Sequence, residues 1–286
     1  MPIYLLPQAL SMKEQIVELI RRAHAQLPRD VVTALRAAYR REDGEIARLQ
    51  LRNMLENIKL AKKLGIPMCQ DTGLPIFYVY LAKNADRKAI EKAIIQGVKE
   101  ATQKVPLRQN VVNPLTRKNS GNNLGEGIPL INWKFSNRSA TEILYLPKGA
   151  GSENCSAAKM LKPSEGLEGI KEFVLETVKS AGGKPCPPTI VGVGIGGSFD
   201  LAAKLAKEAL LRPINSYSKR GDIARLEKEL LKEINSLGIG PMGFGGRTTS
   251  LKVNIEYAAC HTASLPVVVN VQCWAHRYAR AIVHGN

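Results

Sequence analysis

The chain has 286 residues, 44% of them apolar, 23% charged and 5% aromatic, and its 41 Lys and Arg against 25 Asp and Glu give a formal charge of +16. That apolar fraction supplies a packed core and excludes a disordered chain; no apolar run reaches the roughly 18 residues a membrane helix needs, Leu265 to Val271 being only strand-sized. The positive charge is spread along the sequence and the aromatic residues are scattered, so the basic, aromatic-interleaved platform of a nucleic-acid binder is missing. Attraction of small anions, an acidic protein partner and a solvated basic surface stay open. The apolar stretch Met1 to Leu10 has no basic segment before it and no small-residue cleavage site after it, which reads as a cytoplasmic chain.

In chain order, Ser11 with Glu14 forms a capping box that opens a helix with Ile16, Val17, Leu19 and Ile20 on its apolar stripe. Helical spacing continues over Asp30 to Arg41 and Glu45 to Leu64, separated by Gly44 and stopped by Gly65-Ile66-Pro67. The period then changes. Strands are predicted at Ile76 to Leu81, Thr141 to Leu146, Thr189 to Val193, Ser250 to Ala258 and Leu265 to Val271. Helices are predicted at Arg87 to Thr102, Gly166 to Ala181, Ser198 to Leu211 and Ile223 to Ser236. With no repeat, linker or low-complexity tract, the expectation is a single domain over 1–286 of mixed α/β class, a helical part at 1–65 packed on an α/β part at 66–286.

Five cysteines, Cys69, Cys155, Cys186, Cys260 and Cys273, are an odd number and far apart, which reads as thiols rather than bridges. Read alone, each is a small core residue or a ligand; Cys69, Cys186 and Cys273 are singled out because each sits where a strand meets a loop. The absence of C-x-x-C disfavours a zinc ribbon and leaves a distributed three-thiolate site, which on a cubane cluster would leave one iron open as a Lewis acid. His261, twelve residues before Cys273, is the histidine in a motif-like setting; His24 reads as a helix-surface residue, and His276 and His284 fall near the end. Arg108, the turn Arg117 to Asn123, and the loop Lys148 to Asn154 read together as an anion cradle of rigid donors and backbone N–H groups, with an ordinary polar surface loop as the alternative for each.

The run Gly192-Val193-Gly194-Ile195-Gly196-Gly197 fits the dinucleotide fingerprint formally, but the sequence offers no second strand to complete a βαβ unit and no ribose-binding acid. The run reads better as backbone passing close to something bulky or anionic at a helix start.

Together Cys69-Gln70-Asp71-Thr72-Gly73, Leu107-Arg108, Asn119 to Asn123, Gly149 to Asn154, Cys186-Pro187-Pro188, Gly194 to Gly197, and His261 with Cys273 resemble the iron–sulfur (class I) fumarate hydratases and the similar L-tartrate dehydratase α subunits. The resemblance implies a [4Fe–4S] cluster on Cys69, Cys186 and Cys273, spaced by 117 and 87 residues. Cys155 offers the competing set, and the resemblance puts it in a substrate loop; Cys155 and Cys260 are then not ligands. It further implies a substrate pocket of Gln70, Arg108, Gly149, Gly151, Ser152 and Asn154, with Arg108 on a carboxylate and Asp71 and His261 handling the hydroxyl or its proton. The implied reaction is reversible hydration of fumarate to (S)-malate, with L-tartrate to oxaloacetate as the rival and a non-catalytic basic binding protein as the remote alternative. Single-chain members carry a further base-bearing domain, so the resemblance implies a separate β subunit and an α–α dimer in an α2β2 assembly acting on a small dicarboxylate. Gly245-Gly246-Arg247-Thr248-Thr249 resembles a family motif whose role the sequence leaves open.

Overall fold

The computed structural model describes residues 4–5 and 9–283. In chain order the elements are β1 (Tyr4–Leu5), α1 (Met12–Ala25), α2 (Arg29–Arg41), α3 (Glu45–Leu64), β2 (Leu74–Leu81), α4 (Arg87–Lys104), β3 (Leu130–Phe135), β4 (Thr141–Lys148), α5 (Ala150–Glu153), β5 (Ala157–Leu161), α6 (Gly166–Ala181), β6 (Thr189–Ile195), α7 (Phe199–Ala209), α8 (Gly221–Ser236), β7 (Ser250–Tyr257), β8 (Leu265–Gln272) and β9 (Ala279–Val283). The chain is mixed α/β, as its alternating periods predict, and no described helix is long and apolar enough to cross a membrane. It divides into two compact units, one from residues 1–28, 56–150 and 277–286, the other from 29–55 and 151–276. The predicted N-terminal helices are present, but α1 belongs to the first unit and α2 to the second.

The first unit is built on a five-stranded sheet in the order β1-β9-β4-β2-β3, with β1 parallel to β9, β2 parallel to β3, and antiparallel pairs between. The Ser11–Glu14 box is formed and starts α1. Its stripe of Ile16, Leu19, Ile20 and Ala23 packs with Ile90, Ile94 and Val98 of α4 and with Phe77, Val79, Ile143 and Tyr145 of the sheet. His24 is on this inner face too, fully buried, with Nε2 3.2 Å from the Tyr145 hydroxyl; the surface reading is corrected by a partner 121 residues away.

The second unit carries a four-stranded sheet in the order β5-β8-β6-β7, in which β6 and β7 are parallel. A βαβ crossover therefore exists after all: α7 and α8 lie between the two parallel strands, a longer connection than the sequence reading allowed for. Along β6, Val191 and Val193 face a core shared with α6 and α8, while Gly192 and Gly194 face α7. A Cβ at Gly192 would stand 2.2 Å from the Ala206 carbonyl oxygen, and one at Gly194 2.0 Å from that of Ala202. The bulky neighbour that the glycines accommodate is thus helix α7, lying directly on the strand backbone through Ala202 and Ala206.

Candidate active site

In the first unit, α3 stops at Gly65 and the segment Met68 to Gly73 crosses to β2. It is tied down at both edges. The Met68 N–H donates to the His24 carbonyl at 3.2 Å, and Asn57 Nδ2 donates to the Met68 carbonyl at 3.0 Å. All three oxygens of Asp71 accept hydrogen bonds: Oδ1 from the Gly73 N–H at 2.9 Å, Oδ2 from the Ala150 N–H at 2.7 Å, and the backbone carbonyl from Arg277 Nη2 at 2.8 Å. Asp71 therefore clasps the Cys69 segment to the Lys148–Ala150 loop, and a Cβ on Gly149 would lie 3.1 Å from its Oδ2.

Arg108 joins the same neighbourhood through its carbonyl, which accepts from Thr72 Oγ1 at 3.1 Å and from Asn123 Nδ2 at 3.1 Å. Asn123 also accepts from the Asn110 N–H at 2.8 Å, and Asn110 Nδ2 donates to Thr72 Oγ1 at 3.2 Å. The Asn-rich turn is thus a brace behind the Arg108 backbone that leaves the guanidinium exposed. Of the residues singled out by sequence, this unit brings together Cys69, Gln70, Asp71, Arg108 and Gly149; Gln70 is exposed and Cys69 half-buried.

In the second unit, Cys186 and Cys273 lie on adjoining loops, the Trp274 N–H donating to the Cys186 carbonyl at 3.1 Å. Cys186 has φ +54°, a left-handed conformation unusual for a side chain with a Cβ, and its N–H donates to the Gly183 carbonyl at 3.0 Å. The Gly-rich segment before β7 holds this loop from the other side. The Met242 N–H donates to the Pro187 carbonyl at 2.8 Å, and a Cβ on Gly243 would stand 2.8 Å from the Gly183 Cα, so two glycine backbones touch. The segment is in turn locked by Thr249, whose Oγ1 accepts from the Gly240 N–H at 3.1 Å and whose N–H donates to Asn235 Oδ1 at 2.8 Å. Gly246 and Arg247 dock against the loop after α2, the Arg247 N–H donating to the buried Glu42 carboxylate at 2.9 Å. A structural job for Gly245–Thr249, which the sequence left unassigned, is visible here.

The loop Gly151 to Cys155 is also in this unit. Ser152 is buried, its Oγ 3.3 Å from Gln272 Oε1; Glu153 accepts from Asn270 Nδ2 at 3.1 Å and pairs with Lys207; Asn154 and Gly151 are exposed. Cys155 Sγ contacts the Gly151 carbonyl at 3.2 Å, which closes the loop on itself. His261 is exposed on the β7–β8 connection, and its Nδ1 accepts from the Ala263 N–H at 3.1 Å. That bond places the proton of the neutral ring on Nε2, the nitrogen facing away from the turn. His284 lies outside the described residues.

All five cysteines are in thiol form. Among the described residues no three His, Cys, Asp or Glu side chains are grouped as a single metal ion requires. A cubane cluster makes a different demand, since its thiolates bind different irons and do not converge on one point. The half-buried Cys186 and Cys273 on adjoining loops suit that donor chemistry.

The model of the Fumarate hydratase (Fumerase) family matches residues 13–282. The chain belongs to this family. It is 54% identical over 275 residues to a Methanocaldococcus jannaschii protein provisionally named L(+)-tartrate dehydratase subunit alpha, covering 94% of this chain and 96% of that one. The L(+)-tartrate dehydratase subunit alpha of Escherichia coli K12 is 37% identical over 263 residues, covering 91% of this chain and 87% of that one. Membership makes the chain a hydro-lyase, and the segments that carried the resemblance are those that the hydrogen bonds above hold in place.

Sequence reasoning missed Arg277, Asn57 and Asn270. An arginine four residues beyond Cys273 gives no sign in sequence that it turns inward, and only the carbonyl it finds distinguishes it from a surface cation.

Proposed function

We propose that this chain is the α subunit of a two-subunit class I fumarate hydratase that interconverts fumarate and (S)-malate. The observation that carries the reading is the arrangement of the Asp71 segment with Arg108 and Gly149 in a chain of the fumarate hydratase family. Cys69, Cys186 and Cys273 would hold a [4Fe–4S] cluster, which when bound supplies Lewis acidity toward a substrate hydroxyl and carboxylate.

The chain's own residues do the rest. The exposed guanidinium of Arg108, on a backbone braced by Asn123 and Thr72, takes a substrate carboxylate in bidentate fashion. Gln70 and the Gly149–Asn154 loop add donors around the dicarboxylate. His261, with Nδ1 committed to the Ala263 N–H, presents Nε2–H and donates a hydrogen bond to the substrate hydroxyl, which orients it. Asp71 has both carboxylate oxygens occupied by backbone N–H groups, so it acts by fixing Gln70 and Cys69 rather than by taking the carbon-bound proton. The base for that proton is assigned to the β subunit, the partner implied by the "subunit alpha" in the relatives' names. An α2β2 assembly in the cytoplasm completes the proposal.

The names of those relatives favour L-tartrate as the second reading. Malate and tartrate differ by one hydroxyl, so turnover decides. The anaerobically reconstituted complex with its β subunit is expected to release fumarate from (S)-malate at a kcat/KM well above that for oxaloacetate from L-tartrate. The reverse ratio would assign the tartrate reaction, and no turnover of either would remove the dehydratase reading for this pair. Iron and acid-labile sulfide per chain test the ligand set: Cys69→Ser, Cys186→Ser and Cys273→Ser are expected to lose the cluster, Cys155→Ser and Cys260→Ser to keep it.

A further inference from the structure

Arg277, two residues before β9, is 1% exposed and lies in the same unit as the Asp71 segment. Its Nη2 donates to the Asp71 carbonyl, while Nε and Nη1 have no hydrogen-bond partner and no carboxylate pairs with it among the described residues. The groups that feel its charge are His24 and Tyr145, and neither is an anion: burial and the guanidinium hold the imidazole neutral, and burial keeps the phenol protonated. A cation removed from water without a counter-ion is destabilising, and an apolar side chain of similar size would pack there at less cost. Packing therefore does not account for an arginine at this position.

What the guanidinium does have is the third oxygen of Asp71. The two carboxylate oxygens are held by the N–H groups of Gly73 and Ala150, and the carbonyl is held by Arg277, so Asp71 is fixed at each of its three oxygens. We propose that Arg277 is a positioning residue that anchors the Asp71 turn, and with it Cys69 and Gln70, from the protein interior. The anchoring stands on this geometry, and its catalytic consequence rests on the hydro-lyase site proposed above.

Arg277→Met and Arg277→Lys, made in the full chain, test it with two readouts. The first is alkylation of Cys69 by iodoacetamide in the cluster-free chain, followed by peptide mass spectrometry with Cys260 as internal reference. The second is kcat and KM of the complex with its β subunit. Loosening of the turn is expected to speed alkylation of Cys69 about threefold or more in Arg277→Met while Cys260 reacts at the wild-type rate. kcat should fall about tenfold with a smaller change in KM. Arg277→Lys, whose ammonium still donates to a carbonyl, is expected to recover most of both. Wild-type alkylation and turnover in Arg277→Met would overturn the proposal, as would equal acceleration at Cys69 and Cys260, which marks general loosening. If the methionine variant does not fold, Arg277→Leu takes its place with the same outcomes: selective acceleration at Cys69 supports the anchor, and wild-type or equal alkylation at Cys69 and Cys260 overturns it. Absence of turnover in the wild-type complex would remove the dehydratase reading, and the alkylation comparison would still decide Arg277.

Discussion

His24 is held neutral by burial and by the nearby charge of Arg277, which push its imidazole well below the ordinary histidine range of 6.5. The sign of the consequence follows from proton counting. As pH falls through 6.5 the unfolded chain binds a proton at residue 24 that the folded chain refuses, so stability is lost toward acid. The slope from this one group is about 1.4 kcal/mol per pH unit below that point. His24→Gln, which keeps a polar partner for the Tyr145 hydroxyl, should flatten the acid limb of the urea midpoint between about pH 6.5 and 5; an unchanged slope would show that His24 is not the group being titrated. Lys252 has the same sign in a higher pH window. Burial lowers its amine to about 8, against the opposing pull of Glu227 and with help from Arg212 and Lys228. The folded state then binds fewer protons than the unfolded one between pH 8 and 10.5, so stability rises with pH across that window. The Tyr217 ring, whose centroid is 3.2 Å from the Lys252 Nζ, offsets part of the cost. Lys252→Met is expected to stabilise the chain by about 1–2 kcal/mol at pH 7, with the advantage shrinking as pH approaches 10, measured as paired urea melts.

At the scale of elements, glycine does its work by absence of a side chain. A Cβ at Gly194 would meet the Ala202 carbonyl at 2.0 Å, so Gly194→Ala must lift α7 off β6. The expected cost is about 2–3 kcal/mol, read as a fall in the unfolding midpoint. Gly243 is constrained twice, by φ +81° and by the 2.8 Å approach to Gly183. Gly243→Ala should therefore disturb the Cys186 loop selectively: iron per chain after reconstitution should drop while the far-ultraviolet spectrum stays native, and full iron retention would show that the glycine contact does not support that loop. These positions also mark where sequence stops being informative. The glycines of β6 announce a close approach, yet nothing in them says that the neighbour is a helix rather than a phosphate. Helix α1 was legible because its cap, Ser11 with Glu14, and its stripe are local. β3, with half-exposed residues through its centre, and the short β5 carry no period of their own, and β9 alternates over only five residues; all three are decided by the strands they join. In the site, Cys69 to Gly73 could be read as a strand junction, but the donor to Asp71 Oδ2 is 79 residues away and the donor to its carbonyl 206 away.

The molecule as a whole is a polycation of formal charge +16, and the substrate proposed for it is a dianion. Each unit has its own sheet and apolar core, so this charge is not needed to hold either together, and much of it is left to act on what approaches from solution. Such attraction works over distances that salt controls: the screening length shortens from about 20 Å at about 20 mM salt to about 8 Å near 0.15 M. It raises encounter rates and leaves a bound substrate unaffected. For the complex acting on a dicarboxylate, kcat/KM should therefore fall several-fold as NaCl is raised from about 20 to 200 mM, while kcat at saturation holds steady. Charge-removing substitutions at exposed lysines far from Arg108 should weaken that salt dependence in small, additive steps, whereas Arg108→Gln should raise KM at every ionic strength, because a bidentate contact is lost rather than a field. A kcat/KM independent of salt would assign the basic surface to another task, such as holding an acidic partner subunit, and the salt dependence of complex assembly would then be the quantity to follow.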